Sequence, residues 1–160
     1  MKRWVLSRHD SQELIEKLKS SLHLALELPH SSQADCAEPA DGVTFLTLDA
    51  KFVFVQKGDE FVPFLGSKDT LGLFPSAKVD EGAVKFLLNG ADVMRPGIRS
   101  YDQWGDIGRT VDIREEMKGR GIAVAKSLVI SEEMSRLAKG PCLKNVHHVG
   151  DRFWNLYKEV

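Results

Sequence analysis

The sequence predicts an α+β protein in two parts, a small N-terminal α+β domain over residues 1–74 and a β-barrel domain over residues 75–160. Three observations lead to this prediction. The first part combines one amphipathic helix with several short strands. The second part consists of short strands with two small helices, a mixture typical of a closed or nearly closed barrel. A run containing Gly66, Gly72 and Pro75 separates the two parts.

The N-terminal part begins with a short strand at Trp4–Leu6 and continues into a helix for which Asp10 or Ser11 is the expected N-cap. The helix carries a single apolar stripe, which predicts that it covers a core. The stripe is formed by Leu14, Ile15, Leu18 and Leu22. Residues 29–42 are rich in Pro, Ser, Asp and Gly, and this composition predicts a loop.

Three strands are expected after this loop, because short apolar runs alternate with turn residues. The turns are Asp49-Ala50-Lys51 and Lys57-Gly58-Asp59-Glu60. The strands are Val43–Leu48, Phe52–Gln56 and Phe61–Leu65.

The second part starts near Lys78 with a helix that Asp80 caps and that runs to about Asn89. Its predicted buried face consists of Ala83, Val84, Leu87 and Leu88. Gly90 is expected just beyond the helix, where a positive φ costs glycine nothing. A strand over Ala91–Met94 then stops at the turn pair Pro96-Gly97.

Two further strands are predicted at residues 107–113 and 121–130, joined by a turn over Glu115–Gly121. Ser131 is the expected N-cap of a second helix, which Gly140-Pro141 ends.

The chain is predicted to end in a hairpin. Its strands are Val146–Val149 and Arg152–Tyr157, and Gly150-Asp151 forms a two-residue turn between them.

The composition is that of an ordinary globular protein, with 42% hydrophobic and 28% charged residues. The net charge of −1 is unevenly spread. Residues 1–74 carry 8 basic and 11 acidic residues, whereas residues 75–160 carry 14 and 12. This asymmetry weakly favours an RNA partner for the second part. Cys36 and Cys142 lie in no metal-binding spacing, and no apolar run approaches the ~20 residues that span a bilayer, so we expect a cytoplasmic protein without membrane contact.

Residues 78–98 read KVDEGAVKFLLNGADVMRPGI, a segment that resembles the signature of the PUA domain, the RNA-binding module named after pseudouridine synthase and archaeosine transglycosylase. The matching features are the Asp-Glu-Gly-Ala helix start, the Lys-Phe pair, Asn-Gly-Ala and Val-Met-x-Pro-Gly. Residues 145–154 also fit, with Asn-Val-His-His followed by Asp-x-Phe-Trp. The whole chain resembles the group that joins a small N-terminal (pre-PUA) domain to a PUA domain. That group includes archaeal stand-alone PUA proteins and the eukaryotic multiple-copies-in-T-cell-malignancies translation proteins.

The resemblance implies a β pseudobarrel with two short helices, and structured RNA bound beside the first helix and the strand that follows. It also implies a connection to tRNA or to the small ribosomal subunit. In the eukaryotic relatives the implied role is translation reinitiation and ribosome recycling with a partner protein, and residues 1–74 are the expected contact for such a partner.

RNA backbone binding requires cations for the phosphates and small residues that let the chain approach closely. Both kinds of residue cluster at the corner between the predicted helix and the Pro-Gly turn, where a guanidinium group could hold a phosphate with two hydrogen bonds. Many PUA domains have a glycine near position 126, where this chain has a lysine that is expected at a bulge or at the rim. The candidate RNA-binding residues are Lys78, Gly82, Lys85, Gly90, Ala91, Met94, Arg95, Pro96, Gly97, Arg99 and Lys126.

The segment Tyr101-Asp102-Gln103-Trp104-Gly105 contains two aromatic rings. These rings either stack on an unpaired base or pack locally within a loop.

No catalytic arrangement emerges from the sequence. His147 and His148 are adjacent on a predicted strand and point to opposite faces, so they do not share a metal. Asp102 and Asp106 lack a third ligand, and Cys142 has no general base in its sequence context. Phosphate-cradling and dinucleotide-binding motifs are not found. We therefore predict a protein without enzyme activity, cofactor or metal.

Three functions are compatible with these features. The first is RNA binding in translation or on tRNA. The second is a non-catalytic subunit that targets an RNA-modifying enzyme on another chain. The third is a protein-interaction module whose barrel no longer binds RNA.

Overall fold

The computed structural model describes all residues from Met1 to Val160. The chain forms two compact units. One unit consists of Met1–Leu73 together with Arg152–Val160, and the other consists of Phe74–Asp151. The last nine residues thus pack with the N-terminal unit, whereas the sequence placed them in the barrel. None of the helices has the length and apolar character needed to cross a membrane.

The N-terminal unit is built on an antiparallel sheet whose strands follow one another in chain order. The three strands predicted from residue 43 onward are confirmed to within two residues. The strands are β1 (Lys2–Val5), β2 (Ala34–Ala40), β3 (Val43–Leu48), β4 (Phe52–Lys57) and β5 (Glu60–Pro63).

Strand β2 corrects the prediction of a loop over residues 29–42. It lies between β1 and β3, so both of its edges are hydrogen-bonded. Ala34 and Cys36 are buried, and the backbone N–H of Ala34 donates to the Ser11 hydroxyl at 2.9 Å. Pro39 lies within an irregularity of the β2–β3 register, which is where a strand tolerates proline. Tertiary pairing therefore overrides the loop-like composition.

Helix α1 spans Arg8–Leu22 and buries the predicted stripe at Ile15, Leu18 and Leu22. Its N-cap is Ser7, whose hydroxyl accepts from the N–H of Asp10 at 3.0 Å, so the expected cap at Asp10 or Ser11 was wrong. A second helix, α2, covers only Lys68–Leu71.

The C-terminal residues form a helix rather than the predicted hairpin strand, and we number this helix α4 (Arg152–Tyr157). Phe153, Trp154, Leu156 and Tyr157 pack against the apolar cluster of the N-terminal sheet. The Tyr157 ring stacks on Phe64 with 4.2 Å between centroids. A strand would send alternate side chains away from that cluster, whereas a helix brings all four to it, and this packing explains the conformation.

The second unit is a curled half-barrel of six strands in the order β7-β11-β10-β9-β6-β8. Strand β6 pairs in parallel with β9, and the other neighbours are antiparallel. The sequence had not indicated β6 and β8, and it overestimated β7. The strands are β6 (Ser76–Val79), β7 (Val93–Met94), β8 (Ile98–Tyr101), β9 (Thr110–Glu115), β10 (Gly121–Ser127) and β11 (Pro141–His148).

Two short helical segments accompany this sheet in addition to the 3-10 turn Arg95–Gly97. Helix α3 spans Glu81–Leu87 and begins after Asp80 as predicted, but the Asp80 side chain makes no capping hydrogen bond and the helix ends two residues before Asn89. The second predicted helix is a 3-10 helix over Ser131–Arg136. Ser131 does not cap it, because the Ser131 hydroxyl accepts instead from the backbone N–H of Gly105 at 2.9 Å.

The core of this unit lies inside the curled sheet and includes Ala77, Val111, Ala125, Met134 and Leu143. The helices and sheets of the two units confirm the expected α+β class, with a half-barrel after a small N-terminal sheet.

Candidate nucleic-acid interface

The start of helix α3 and the Pro-Gly turn are joined directly. The N–H of Asp80 donates to the carbonyl oxygen of Gly97 at 2.8 Å. A Cβ atom placed on Gly97 would lie 3.5 Å from the Cβ of Ala83. This distance is ordinary van der Waals contact, so the turn lies close to the helix but an alanine would also fit at this position.

The loop between α3 and β7 is held by one asparagine. Gly90 adopts φ +88°, which reverses the chain after the helix as predicted. The Asn145 side-chain amide donates to the carbonyl oxygens of Leu87 and Ala91, both at 3.0 Å. Its own backbone N–H donates to the Asp92 carboxylate at 3.0 Å. Asn145 was not among the predicted site residues, although it belongs to the matching C-terminal segment.

These connections shape a groove between α3, β7 and the 3-10 turn, with a volume of about 580 Å³. Most of its lining is apolar, and Phe86 contributes a ring that is 57% exposed. Two carboxylates, Asp80 and Asp92, also line it. The predicted site residues that meet at this groove are Gly82, Ala91, Met94, Pro96 and Gly97.

Arg95 does not present its charge to this groove. Its Nε donates to the carbonyl oxygen of Met134 at 2.9 Å, and its Nη1 lies 3.4 Å from the carbonyl oxygen of Ile98. The guanidinium group also lies 5.8 Å from the centroid of the Tyr101 ring. Arg95 thus ties the turn to the 3-10 helix at Ser131–Arg136, and this arrangement conflicts with its predicted role as a phosphate ligand.

Arg99 is exposed but its charge is compensated. Its guanidinium nitrogens lie 3.4 Å from the Asp80 carboxylate and 3.9 Å from that of Glu116. The same side of the unit carries a carboxyl pair. Backbone N–H groups of the β9–β10 turn hold the pKa of buried Glu115 at about 2, and the hydrogen bond with Glu115 raises the pKa of Glu81. The carboxyl groups at the N-terminal end of α3 are therefore balanced in large part by Arg99 and by Arg120, which lies 3.6 Å from Glu115.

The three predicted lysines occupy different places. Lys85 is exposed on α3, and its ammonium group lies 5.1 Å from the centroid of the Phe86 ring at the groove. Lys78 is exposed on β6, opposite Ser100 and Arg114. Lys126 is half-buried on β10 and pairs in regular register with Thr110 and Lys144, so the expected bulge does not fall on this residue; the extra residue of the nearby irregularity is Val146 of β11.

The sequence did not single out Phe86 as a contact, although the signal was available. The residue falls off the apolar stripe of its own helix, and an aromatic side chain in such a position is expected to be exposed. Trp104 shows the opposite case. It is only 5% exposed, and its Nε1 donates to the carbonyl oxygen of Val129 at 3.0 Å, so the local-packing interpretation holds for this ring.

The side chains that the sequence offered as candidates for catalysis are buried or hydrogen-bonded within the protein. Burial raises the pKa of the Cys142 thiol to about 11, which leaves it protonated near neutral pH. His147 is buried with Nδ1 2.8 Å from the Asp151 carboxylate, and the Asp102 carboxylate accepts from the N–H of Ser76 at 2.9 Å. A further set of metal-type ligands, His9, Asp10 and Glu13, lies exposed in the first turns of α1, where the helix dipole disfavours a cation.

The half-barrel, with a groove beside its first helix that Gly82 and Gly97 line, is the architecture expected of a PUA domain. Residues 75–149 match the family described as PUA domain. Over 143 residues, the chain is 31% identical to translation machinery-associated protein 20 of Saccharomyces cerevisiae, and the match covers 82% of this chain and 77% of the yeast protein.

Archaeal proteins match the chain over nearly its whole length. An uncharacterized protein of Methanocaldococcus jannaschii is 33% identical, with 96% of each chain covered. The crystal structure of a hypothetical protein from Pyrococcus horikoshii is 28% identical with a TM-score of 0.77, covering 97% of this chain and 99% of that one. The chain therefore belongs to the family of PUA-domain proteins with a small N-terminal domain that includes translation machinery-associated protein 20 and these archaeal proteins.

Proposed function

We propose that the chain binds structured RNA, either tRNA or RNA of the small ribosomal subunit, as a non-catalytic factor in translation. Two considerations support this proposal. PUA domains are RNA-binding modules, and a yeast relative is named for its association with the translation machinery. The single structural observation on which the proposal depends is the open groove at α3, β7 and the Pro-Gly turn.

The chemistry of the groove suits a nucleotide whose base is unpaired. Its wall is formed by small and apolar residues such as Ala91, Met94 and Gly97, so a flat base can approach the backbone closely. Phe86 offers an exposed ring, and base–aromatic stacking contributes about 1–3 kcal/mol per base. Single-stranded loops and ends of RNA are the elements whose bases are free to enter such a groove.

Lysines near this groove supply the charge for the backbone. Lys85 lies beside Phe86, so a base stacked on the ring brings its phosphate toward an ammonium group. Lys78 is exposed without a partner carboxylate within 4.0 Å and offers a more distant contact. Among the predicted residues, Gly90 serves this site through its positive φ, whereas the charges of Arg95 and Arg99 are engaged in contacts within the protein.

Substitutions at Phe86 and Lys85 test the proposal directly. We expect Phe86→Ala to weaken binding to tRNA or to the small subunit by about 5- to 100-fold, which is the loss of one stacking contact. Lys85→Glu should weaken RNA binding by ~10-fold, and the slope of log Kd against log salt should fall by about one, the value for one phosphate contact. Fluorescence anisotropy with labelled tRNA and sedimentation with isolated subunits measure both effects.

Two exposed residues provide matched controls. Met117→Ala removes an apolar side chain that is 74% exposed on the β9–β10 turn, and Lys57→Glu reverses a charge on the N-terminal sheet. Both variants should bind RNA as the unsubstituted protein does. Equal affinities for Phe86→Ala, Lys85→Glu and the two controls would show that this groove is not the RNA contact.

A protein segment is the competing occupant, because Asp80 and Asp92 line the groove and would attract a cationic peptide with an apolar anchor. The same variants decide between the two. Neutralising Asp92 by Asp92→Asn should weaken a cationic peptide and leave RNA affinity equal or higher. A partner protein bound through residues 1–74 should be retained when Phe86 is replaced by alanine, because Phe86 belongs to the other unit.

A further inference from the structure

Two lysines, of which Lys144 is exposed and Lys126 is half-buried, lie opposite each other on two strands of the half-barrel. Lys126 of β10 and Lys144 of β11 are directly opposite each other in the antiparallel register. Residues paired in this way point to the same face, with Cβ atoms about 4.5–5.5 Å apart. Their neighbours Ala125 and Leu143 enter the core, so the two lysines point away from it.

Neither ammonium group is neutralised within the protein. No carboxylate oxygen lies within 4.0 Å of either lysine nitrogen, whereas Arg99, Arg114 and Arg120 all have such partners. The nearest carboxylate along the same face of β9 is that of Asp112, two residues from the Lys126 partner Thr110. Its Oδ2 is occupied by the Nε of Arg114 at 2.7 Å. Like charges placed directly opposite each other destabilise a sheet, so the pair persists against a cost.

The position of the pair connects it with the groove. Leu143 pairs with Val93 of β7, and Val93 lines the groove. Lys144 therefore follows directly after Leu143, the residue paired with the groove residue Val93. Lys126 lies on the next strand, opposite Lys144. The irregularity of the β10–β11 register leaves Val146 of β11 as the extra residue, so the bulge lies two residues beyond Lys144, and Lys126 and Lys144 themselves are in regular register.

We propose that Lys126 and Lys144 together form a phosphate-binding site, which takes the RNA backbone as it leaves the groove around the β7 edge. Lysine binds phosphate as a point charge without demanding a fixed fork geometry, so the ammonium groups of two lysines paired across neighbouring strands can share one phosphate or hold two successive ones. This inference rests on the proposed RNA-binding function, and it adds Lys144 and a direction for the backbone.

The test uses the full chain with the single variants Lys126→Gln and Lys144→Gln and the double variant. For labelled tRNA, the slope of log Kd against log salt should fall by about 0.7–0.9 for each lysine removed. In thermal unfolding, inorganic pyrophosphate should raise the Tm of the unsubstituted protein and not that of the double variant. Without ligand, the double variant should be at least as stable as the unsubstituted protein, since like-charge repulsion has been removed. Lys118→Gln and Lys139→Gln, which remove exposed lysines with no lysine opposite, are the matched controls.

The outcomes separate this inference from the function on which it rests. An unchanged salt slope in the double variant overturns the inference, even if Phe86→Ala still weakens RNA binding. The inference is also overturned if the double variant loses the rise in Tm with pyrophosphate but keeps the slope of log Kd for tRNA against log salt. The lysine pair would then bind a free phosphate compound and not the RNA backbone. If the double variant has a reduced salt slope while Phe86→Ala binds RNA as the unsubstituted protein does, the phosphate site at Lys126 and Lys144 is supported. The groove is then not the RNA contact.

Discussion

Replacing Arg95 with methionine distinguishes a structural role from a role in RNA binding. The sequence predicted a phosphate ligand at this position, whereas the side chain bonds to two carbonyl oxygens inside the second unit. Methionine keeps an apolar stem of similar length and removes the guanidinium group. We expect Arg95→Met to destabilise the second unit and to leave the RNA affinity of the folded protein nearly unchanged.

The size of the effect follows from the contacts. A hydrogen bond from a charged donor contributes about 1.5–3 kcal/mol, and here the Nε of Arg95 donates to Met134 at 2.9 Å. A cation–π contact such as that with Tyr101 adds about 0.5–1 kcal/mol. The contact with Ile98 at 3.4 Å is long and adds little. The expected loss is about 2–4 kcal/mol, which lowers the Tm of a unit of this size by about 8 °C or more.

Differential unfolding measured by tryptophan fluorescence provides the assay, since Trp104 lies in the core of this unit. RNA affinity is then compared at a temperature where both proteins are folded. A variant with unchanged stability and ~10-fold weaker RNA binding would refute this reasoning and restore the phosphate-ligand interpretation.

Four further expectations follow from single contacts. Asn145→Ala removes two hydrogen bonds that hold the α3–β7 loop and should cost about 1–3 kcal/mol in urea unfolding, with weaker RNA binding. Because the folded-state pKa of Glu115 is about 2 against an ordinary 4.5, its stabilising effect is present above pH 4.5 and is lost as the pH falls toward 2. Glu115→Gln should therefore be less stable at pH 7 and should lack this acid-dependent loss in a pH titration of unfolding. Removing residues 152–160 should increase hydrogen exchange in β3 and leave β9 unchanged, because α4 packs on the N-terminal sheet. RNA affinity should fall only about 20- to 40-fold between 50 and 200 mM salt if three lysines contact phosphates, as the slope of −0.7 to −0.9 per contact requires.

The elements that the sequence predicted well are those set by local chemistry. The Ile15, Leu18 and Leu22 stripe is helical because its spacing matches one helix face, and the stripe is buried. Asp80 and Gly90 mark the limits of the first helix of the barrel because their backbone preferences are intrinsic. Both predictions need only neighbouring residues.

The elements that the sequence predicted wrongly are set by distant partners. Strand β2 has the composition of a loop, and it is a strand because β1 and β3 pair with both of its edges. Helix α4 has strand-like residues, and it is helical because its aromatic side chains meet the N-terminal sheet. The sequence around α4 does not contain this information, since the N-terminal sheet on which α4 packs lies about a hundred residues earlier in the chain.

The residues of the candidate site also fall into those that local sequence could predict and those that it could not. The small residues at the groove were predictable, because glycine and alanine act through backbone geometry that the motif itself specifies. The cations were not, because a long side chain can turn toward any acceptor within several ångströms. Arg95 turns inward to the carbonyl oxygen of Met134, which lies 39 residues further along the chain. Arg99 pairs with Asp80, which a sequence pattern counts only as a helix cap.

A net charge of −1 does not oppose RNA binding when the charges are separated along the surface, because a phosphate senses charges within a Debye length of about 8–10 Å. At one end of the groove, the start of α3 carries Asp80 and Glu81, with Glu115 and Glu116 beside them. At the other end, β7 leads to β11, where Lys144 is exposed. The carboxylates at the first end are largely compensated, because Arg99 pairs with Asp80 and Glu116 and Arg120 lies 3.6 Å from Glu115. In the proposed RNA complex, the direction of the strand is therefore set by the attraction of the exposed Lys144 at the β11 end rather than by repulsion from the acidic residues.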